Sequence, residues 1–350
     1  MSFYHIKPVE LMCHLSQRER RSMGTTNIMI KSTGAYVPER VMTNFDLEKI
    51  VDTTDEWITT RTGIKTRRIA GENQTTSDMA YEAAKIALER AELNPQDLDL
   101  IIVATVSPDM FFPSTGCVVQ NKLGATNAAA IDLNAACSGY IYSLVIANNF
   151  LALNSYKNIL IIGSEKLSAF VNWEDRSTCV IFADGAGASV ITPAEGESRL
   201  LAYDLGVDGS YGEQLLVPAG GARMPATEET VRNNLHTIQM NGNAIFKIAV
   251  RRMRETFAKS MEKAGVTVDD ISLVIPHQAN LRIIESLRTY LKLPKEKVYV
   301  NIDKYGNTSS ASIAIALDEA YSAGIIKRGD IIGFTAFGGG LTWGSAIIRF

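Results

Sequence analysis

A cysteine, a histidine and an asparagine lie far apart in the chain, each where an apolar run gives way to a loop or helix: Cys137, His277 and Asn307. Together they permit one kind of chemistry. A thiolate can attack a carbonyl carbon, and a neutral imidazole and an amide can both donate hydrogen bonds to the oxyanion that develops. Asparagine suits that task better than aspartate, whose charge would repel the oxyanion. Small neighbours, Ala135, Ala136, Ser138 and Gly139, leave room for an acyl group beside the sulfur. Near the C-terminus, Phe337-Gly338-Gly339-Gly340 can bring backbone close to that sulfur. The N–H groups of Cys137 and Gly339 would then form an oxyanion hole for an attacked thioester.

Taken singly, each residue also has a structural reading. A buried cysteine can simply fill space, and His277 can be a core histidine. Asn307 can be a helix N-cap, and the glycines a tight turn between two terminal strands. The glycine run is not a phosphate loop, because no Lys-Ser/Thr follows it. A second cluster, Asp184-Gly185-Ala186-Gly187-Ala188, lacks the third glycine of a dinucleotide loop and reads as close packing.

The surrounding elements must bring the three side chains to one place. Residues 128–133 read as a short apolar strand, and the run from Tyr140 to Ala147 as an interior helix, apolar nearly all round. Cys137 sits between them at a helix N-terminus, where free N–H groups and the helix dipole favour a thiolate. Pro276 stops a strand and presents His277 from a loop. Asn307 follows a strand expected over 297–302 and opens a small-residue helix expected over 308–314.

An internal repeat suggests how these pieces are arranged. Residues 91–104 align without a gap with residues 264–277, each following an amphipathic helix (80–90 and 246–263) and entering an apolar strand. Gly187-Ala188-Ser189-Val190-Ile191 echoes Gly344-Ser345-Ala346-Ile347-Ile348. Two similar α/β halves are expected, 27–200 carrying the cysteine and 201–350 carrying the histidine and asparagine; chance likeness of two helix–strand units is the alternative. The alignment sets Ala104 opposite His277, both at C-terminal strand ends, where functional groups of α/β sheets collect.

Composition narrows the class. The 350 residues carry a formal charge of −3, which argues against a general nucleic-acid binder. No run approaches the ~20 apolar residues of a membrane span. Cys13, Cys117, Cys137 and Cys179 show neither zinc-like nor secreted disulfide spacing, so a cytoplasmic location is expected. Residues 1–26 lack the apolar core of a signal peptide and read as a poorly ordered extension.

Several motifs occur in a familiar order and spacing. They are Asp55-Glu56-Trp57-Ile58-Thr59-Thr60-Arg61-Thr62-Gly63-Ile64, Asn134-Ala135-Ala136-Cys137-Ser138-Gly139, His277-Gln278-Ala279-Asn280-Leu281-Arg282, Gly306-Asn307-Thr308-Ser309 and Phe337-Gly338-Gly339-Gly340. From about Asn27 to Phe350 the chain closely resembles β-ketoacyl-acyl-carrier-protein synthase III, the family that initiates type II fatty-acid synthesis. The resemblance implies a thiolase fold in α-β-α-β-α layers, a homodimer, and no metal or cofactor, the CoA thioester being a substrate. It implies that Cys137 takes an acyl group, with acetyl expected, from acyl-CoA. His277 and Asn307 would then stabilise the enolate formed as malonyl-acyl-carrier protein loses CO2.

By the same matching, Trp57 and Arg61 would sandwich the adenine of CoA, and Arg176 would contact the nucleotide. Asn243 and Asn280 would contact the pantetheine arm, and Met240 and Phe246 would line its tunnel. Phe182 and Phe337 belong to the acyl pocket, closed by Phe112 of the opposite subunit. The acidic carrier protein would meet Lys247, Arg251 and Arg254, which recur at helical spacing, together with Gln278 and Arg282. A solvated helix face is the alternative for that stripe.

Rival readings remain. Relatives with a Cys-His-Asn site join other acyl chains or transfer acyl groups without condensing. A papain-like hydrolase shares the chain order Cys, His, Asn, but its local signature is absent around Cys137. A non-catalytic scaffold would not need the three residues together.

Overall fold

A five-stranded and a four-stranded sheet share one plan. The first contains β1 (Ile28–Tyr36), β2 (Leu100–Ala104), β3 (Ala129–Leu133), β4 (Ile159–Lys166) and β5 (Asp184–Pro193), in the order β1-β5-β4-β2-β3. The second contains β6 (Arg199–Val207), β7 (Leu273–Pro276), β8 (Ile331–Gly338) and β9 (Thr342–Arg349), in the order β6-β9-β8-β7. Pair directions also correspond. β1/β5 and β6/β9 are antiparallel, as are β5/β4 and β9/β8, while β4/β2 and β8/β7 are parallel. This computed structural model describes residues 27–194 and 196–350, so the expectation for 1–26 lies outside the described residues.

Helices fill the layers around these sheets. α1 (Asp55–Thr62) precedes the first repeat unit, followed by α2 (Thr76–Ala91), α3 (Thr115–Leu123) and α4 (Gly139–Ala152). The second half supplies α5 (Gly242–Ala264), α6 (Leu281–Leu291) and α7 (Ala311–Ser322). Tyr140 and Leu144 of α4 and Ile313 and Leu317 of α7 join one apolar core with Ile102 and Ile275, which places both helices between the sheets. The alanines of α2 cover the outer face of the first sheet, and Phe257 of α5 with Ile284 and Leu287 of α6 cover the second. The layers are therefore α-β-α-β-α, the thiolase fold.

Local sequence explains the pieces that matter for the site. A capping box of Thr75 and Asp78 starts α2, and Gly63 closes α1 in the left-handed conformation. β4 is buried along nearly its whole length, as a central strand covered on both faces must be. α7 lies against it because residue 163 is glycine: a Cβ there would stand 3.0 Å from the Ala311 Cα.

Two expectations are corrected. Residues 297–302 do not form a strand; only Val298 bridges to Val274, and the chain then turns into a short helix, Ile302–Tyr305. The side chain of Gln278 takes the place of a ladder, donating to the Tyr299 carbonyl at 3.2 Å and accepting from the Asn301 N–H at 3.0 Å. Nor does the following helix open at Thr308. Ser309 has φ +46°, which breaks helical geometry, and α7 begins at Ala311.

Candidate active site

Cys137 lies in a 3₁₀ turn, Ala136–Ser138, that joins β3 to α4. Early in a helix its N–H lacks an intrahelical partner and is available to a ligand. β8 ends directly beside it. A Cβ on Gly338 would lie 2.6 Å from the Cys137 nitrogen, so only glycine lets the two backbones approach. Gly339 then turns away and lines the same cavity as Cys137.

The thiol is 8% exposed, and burial pushes its pKa up to about 12. Ser309 opposes that rise, and a charge on the nearby Glu165 would add to it. The expected help from the helix end is outweighed. A helix terminus gives at most about 2 kcal/mol, whereas each pKa unit is worth about 1.4 kcal/mol. At neutral pH burial thus favours the protonated thiol at rest, against the pull of the helix end toward a thiolate.

His277 follows β7 and is fully buried, which lowers its pKa to about 3 and keeps the ring neutral. Its Nδ1 lies 2.6 Å from Ser312 Oγ, and that oxygen accepts the Gln278 N–H at 3.3 Å. Ser312 can therefore give its proton to Nδ1, which leaves the imidazole proton on Nε2. A neutral histidine in this tautomer is a hydrogen-bond donor at Nε2.

Asn307 is clamped on both sides of its backbone. Its N–H donates to Ile181 at 3.0 Å, and its carbonyl accepts from Ala183 at 2.9 Å. Its Oδ1 accepts the Ser309 N–H at 2.9 Å, so the Nδ2 group is left as the donor. Asn307 comes after the Val298 segment just as Cys137 comes after β3, so they hold equivalent places beside the two sheets. Cys137, His277 and Asn307 all line one narrow cavity of about 130 Å³.

That passage also includes Met240, Phe246, Asn280, Phe182 and Phe337. Beyond the sulfur, a cavity of about 350 Å³ is walled by Val106, Leu167, Phe170, Phe182, Leu215 and Ile238. Phe337 lines the passage and Phe182 lines both spaces. Phe112 is 86% exposed and lines neither cavity.

At the outer end three expected residues meet. The guanidinium of Arg61 lies 5.0 Å from the centroid of the Trp57 ring, and that of Arg176 lies 5.4 Å away. Arg176 is steadied by the Asp52 carbonyl at 2.7 Å. Asn280 caps α6, accepting the Arg282 N–H at 2.9 Å, and ties it to the Arg61 carbonyl at 3.0 Å. Asn243 is exposed on the first turn of α5 and does not line the passage.

The basic residues divide. Lys247 and Arg251 are exposed on α5, whereas Arg254 stacks 3.5 Å from the centre of the Tyr290 ring. Arg282 is exposed and lies over Phe246 at 5.2 Å, beside the passage. Gln278 does not belong with them. It is 1% exposed, and its amide is consumed by the carbonyls of Pro276 and Tyr299 and the Asn301 N–H. It shapes the loop before Asn307.

Ser309, Ser312 and Glu165 escape the sequence reading. Ser312 carries no signal beyond its place in a small-residue run. Glu165 does carry one, a lone carboxylate closing the apolar run Ile159-Leu160-Ile161-Ile162-Gly163-Ser164.

Comparison with known proteins identifies the family. Residues 131–209 match the family described as 3-oxoacyl-[acyl-carrier-protein (ACP)] synthase III, and residues 261–350 match its C-terminal counterpart. The β-ketoacyl-[acyl-carrier-protein] synthase III of Caldanaerobacter subterraneus is 59% identical over 92% of this chain and 97% of its own. That of Clostridioides difficile is 53% identical over 93% and 99%. The crystal structure of 3-oxoacyl-[acyl-carrier-protein] synthase III from Aquifex aeolicus superposes with a TM-score of 0.86, at 54% identity over 93% of this chain and 100% of that one. With identity of that order over nearly the whole chain, this protein belongs to the β-ketoacyl-acyl-carrier-protein synthase III family of condensing enzymes.

Proposed function

We propose that the chain condenses a short acyl-CoA, acetyl-CoA in the first instance, with malonyl-acyl-carrier protein. The products are 3-oxoacyl-acyl-carrier protein, CoA and CO2. The observation that carries this reading is the meeting of Cys137, His277 and Asn307 in one buried passage. Cys137 Sγ attacks the thioester carbon, the bond to the CoA sulfur breaks, and the thiol proton ends on CoA. The malonyl carboxylate then leaves as CO2. Its electron pair generates an enolate whose oxygen takes hydrogen bonds from His277 Nε2 and Asn307 Nδ2. The enolate carbon attacks the acyl-cysteine, and the N–H groups of Cys137 and Gly339 hold the resulting oxyanion. Collapse frees the Cys137 sulfur, which recovers a proton from solvent.

The matching strand orders support two halves, 27–200 and 201–350, each contributing one side of this site. Trp57, Arg61 and Arg176 suit the nucleotide end of CoA, the indole and a guanidinium offering flat faces for a base. Met240, Phe246 and Asn280 suit the arm. A reducing cytoplasm fits a chain whose Cys117, Cys137 and Cys179 are all free thiols. Release of labelled CO2 from malonyl-carrier protein, dependent on acyl-CoA, is the direct test. Hydrolysis of the thioester without CO2 would overturn the reading.

Lys247, Arg251 and Arg282 form the face we assign to the acidic carrier protein. Arg282→Glu should raise the KM for malonyl-carrier protein about tenfold, equivalent to roughly 1.4 kcal/mol, and leave transfer from acyl-CoA nearly unchanged. The wild-type KM should itself climb with salt, since exposed charges are screened over about 8–10 Å. Equal losses toward both substrates would place Arg282 elsewhere.

Homodimer formation is supported by the edge strand β3, whose Ile131 is 40% exposed, and by the exposed Met110, Phe111 and Phe112 that precede α3. We assign Phe112 to the partner's acyl cavity. Phe112→Thr should therefore widen acceptance toward longer acyl-CoAs, each added methylene gaining up to about 0.8 kcal/mol. Competition between acyl-CoAs of different length reads this out. An unchanged profile, or full activity in a verified monomer, would remove Phe112 from the acyl site.

A further inference from the structure

Glu165 is a fully buried carboxyl group at the end of β4, close enough to Cys137 to influence the thiol. Its Oε2 accepts from the Ser107 hydroxyl at 2.6 Å, the Thr105 hydroxyl at 3.1 Å and the Val106 N–H at 3.1 Å. Its Oε1 lies 2.8 Å from Ser310 Oγ, and the same Ser310 oxygen lies 2.8 Å from the Ala104 carbonyl. A hydroxyl has one proton to give. A carbonyl and an ionised carboxylate both only accept, so an ionised Glu165 would leave one of these two contacts without a proton.

A proton on Oε1 removes the conflict. The acid then donates to Ser310, and Ser310 donates to Ala104. Among the described residues no cation pairs with the group either. The ammonium of Lys166 points away, to the carbonyls of Gly71, Glu72 and Gln74. Asp184, across from Lys166, is held by Ser168 and the Ala70 N–H. The other titratable groups nearby are the Cys137 thiol on the turn before α4 and the neutral His277, which α7 holds through Ser312. A buried carboxylate with no cation is costly and takes up a proton instead.

We propose that Glu165 is a positioning residue kept as the neutral acid beside the nucleophile, its proton locking Ser310 and so the turn that carries Ser309 and Asn307. This rests on the reading of Cys137 as nucleophile and Asn307 as enolate donor. Two consequences follow for the site. A neutral acid puts no like charge beside the Cys137 thiolate when it forms. The fixed turn also holds the buried Ser309 hydroxyl in the lining of the cavity beside the sulfur. Burial shifts the Glu165 pKa upward, in keeping with this arrangement.

Protonation can be tested apart from catalysis. A carboxyl whose folded pKa is raised holds its proton while the unfolded chain has lost it, so its contribution to stability declines as pH rises above the unfolded value of about 4.3. Glu165→Gln keeps the shape, accepts through Oε1, donates to Ser310 through Nε2 and does not titrate. The stability of the Gln variant relative to wild type, measured by thermal unfolding of the full chain, should rise steadily from about pH 5 to pH 8. A difference that stays flat or falls would mean that the carboxylate is ionised and would overturn the proposal.

Kinetics supplies the second arm. Glu165→Ala should slow decarboxylation about tenfold to 10²-fold, the scale of a displaced catalytic group, with the KM for acyl-CoA little changed. Glu165→Gln should restore most of that loss. A Gln variant as slow as the Ala variant would show that a charge, not a proton, is needed. Failure of Cys137 to become acylated would instead defeat the underlying reading, whatever the stability difference.

Discussion

Cys137→Ser should form no acyl-enzyme with acyl-CoA and should lose condensation by about 10⁶, the scale on which a hydrolase suffers when its nucleophile is removed. A hydroxyl is a far weaker nucleophile at neutral pH, and nothing in the passage is basic enough to ionise it. His277 is held near pKa 3 by burial, so it is a poor base. After incubation with acetyl-CoA, mass spectrometry of wild type should find the acetyl group on Cys137. Label on the exposed Cys117 or the buried Cys179 would sink the assignment. The raised thiol pKa adds a second readout. Alkylation of Cys137 by iodoacetamide should keep accelerating with pH well above the neutral range, because the thiolate fraction is still climbing toward its pKa of about 12. A rate that levels off below about pH 8 would mean that the helix end outweighs burial after all.

How the site is built was only partly legible in the sequence. Cys137, His277 and Asn307 stand out because their types are chemically scarce and each ends an apolar run. The repeat of 91–104 in 264–277 is legible for the same reason that the two sheets have one strand order: the same pattern has to bury the same faces. Gln278 shows the limit. Whether a side-chain amide faces solvent or replaces a strand's hydrogen bonds depends on where residues 299–301 run, and no periodicity encodes that. Ser309 shows another, since a positive φ at a residue other than glycine leaves no mark in composition. The thiol's protonation also escapes. Its place at a helix start can be read from residue types, but the depth of burial that outweighs the dipole comes from residues distant in sequence, among them Phe182, Phe246, His277 and Phe337, that surround it.

That same burial divides the labour within the site. It keeps the resting thiol protonated and the imidazole neutral, two effects that would be contradictory if His277 had to act as a standing base. They are consistent if its part is to donate a hydrogen bond. Ser312 enforces this by accepting from the Gln278 N–H and facing Nδ1, so the buried Gln278 helps set the tautomer of its neighbour.

His277→Ala and Asn307→Ala should accordingly spare much of the acylation of Cys137 while removing decarboxylation of malonyl-carrier protein. Loss of one oxyanion donor costs about 10²–10³ in rate, so each variant should fall by that factor in CO2 release. Losses in the double variant should be less than the product, because both donors serve one oxygen. Replacing Asn307 by Asp should be worse than replacing it by Ala. A carboxylate would present a negative charge where the enolate forms, and it cannot donate when ionised. The neutral state of His277 also implies a flat pH profile for CO2 release across the range in which an ordinary histidine titrates, near 6.5. The measurements are acyl-enzyme yield by mass spectrometry and labelled CO2 release from malonyl-carrier protein, with both variants checked for native unfolding behaviour. If both decarboxylate normally, or if decarboxylation in wild type tracks a group titrating near neutrality, His277 and Asn307 do not act as the neutral donor pair that their hydrogen bonds describe.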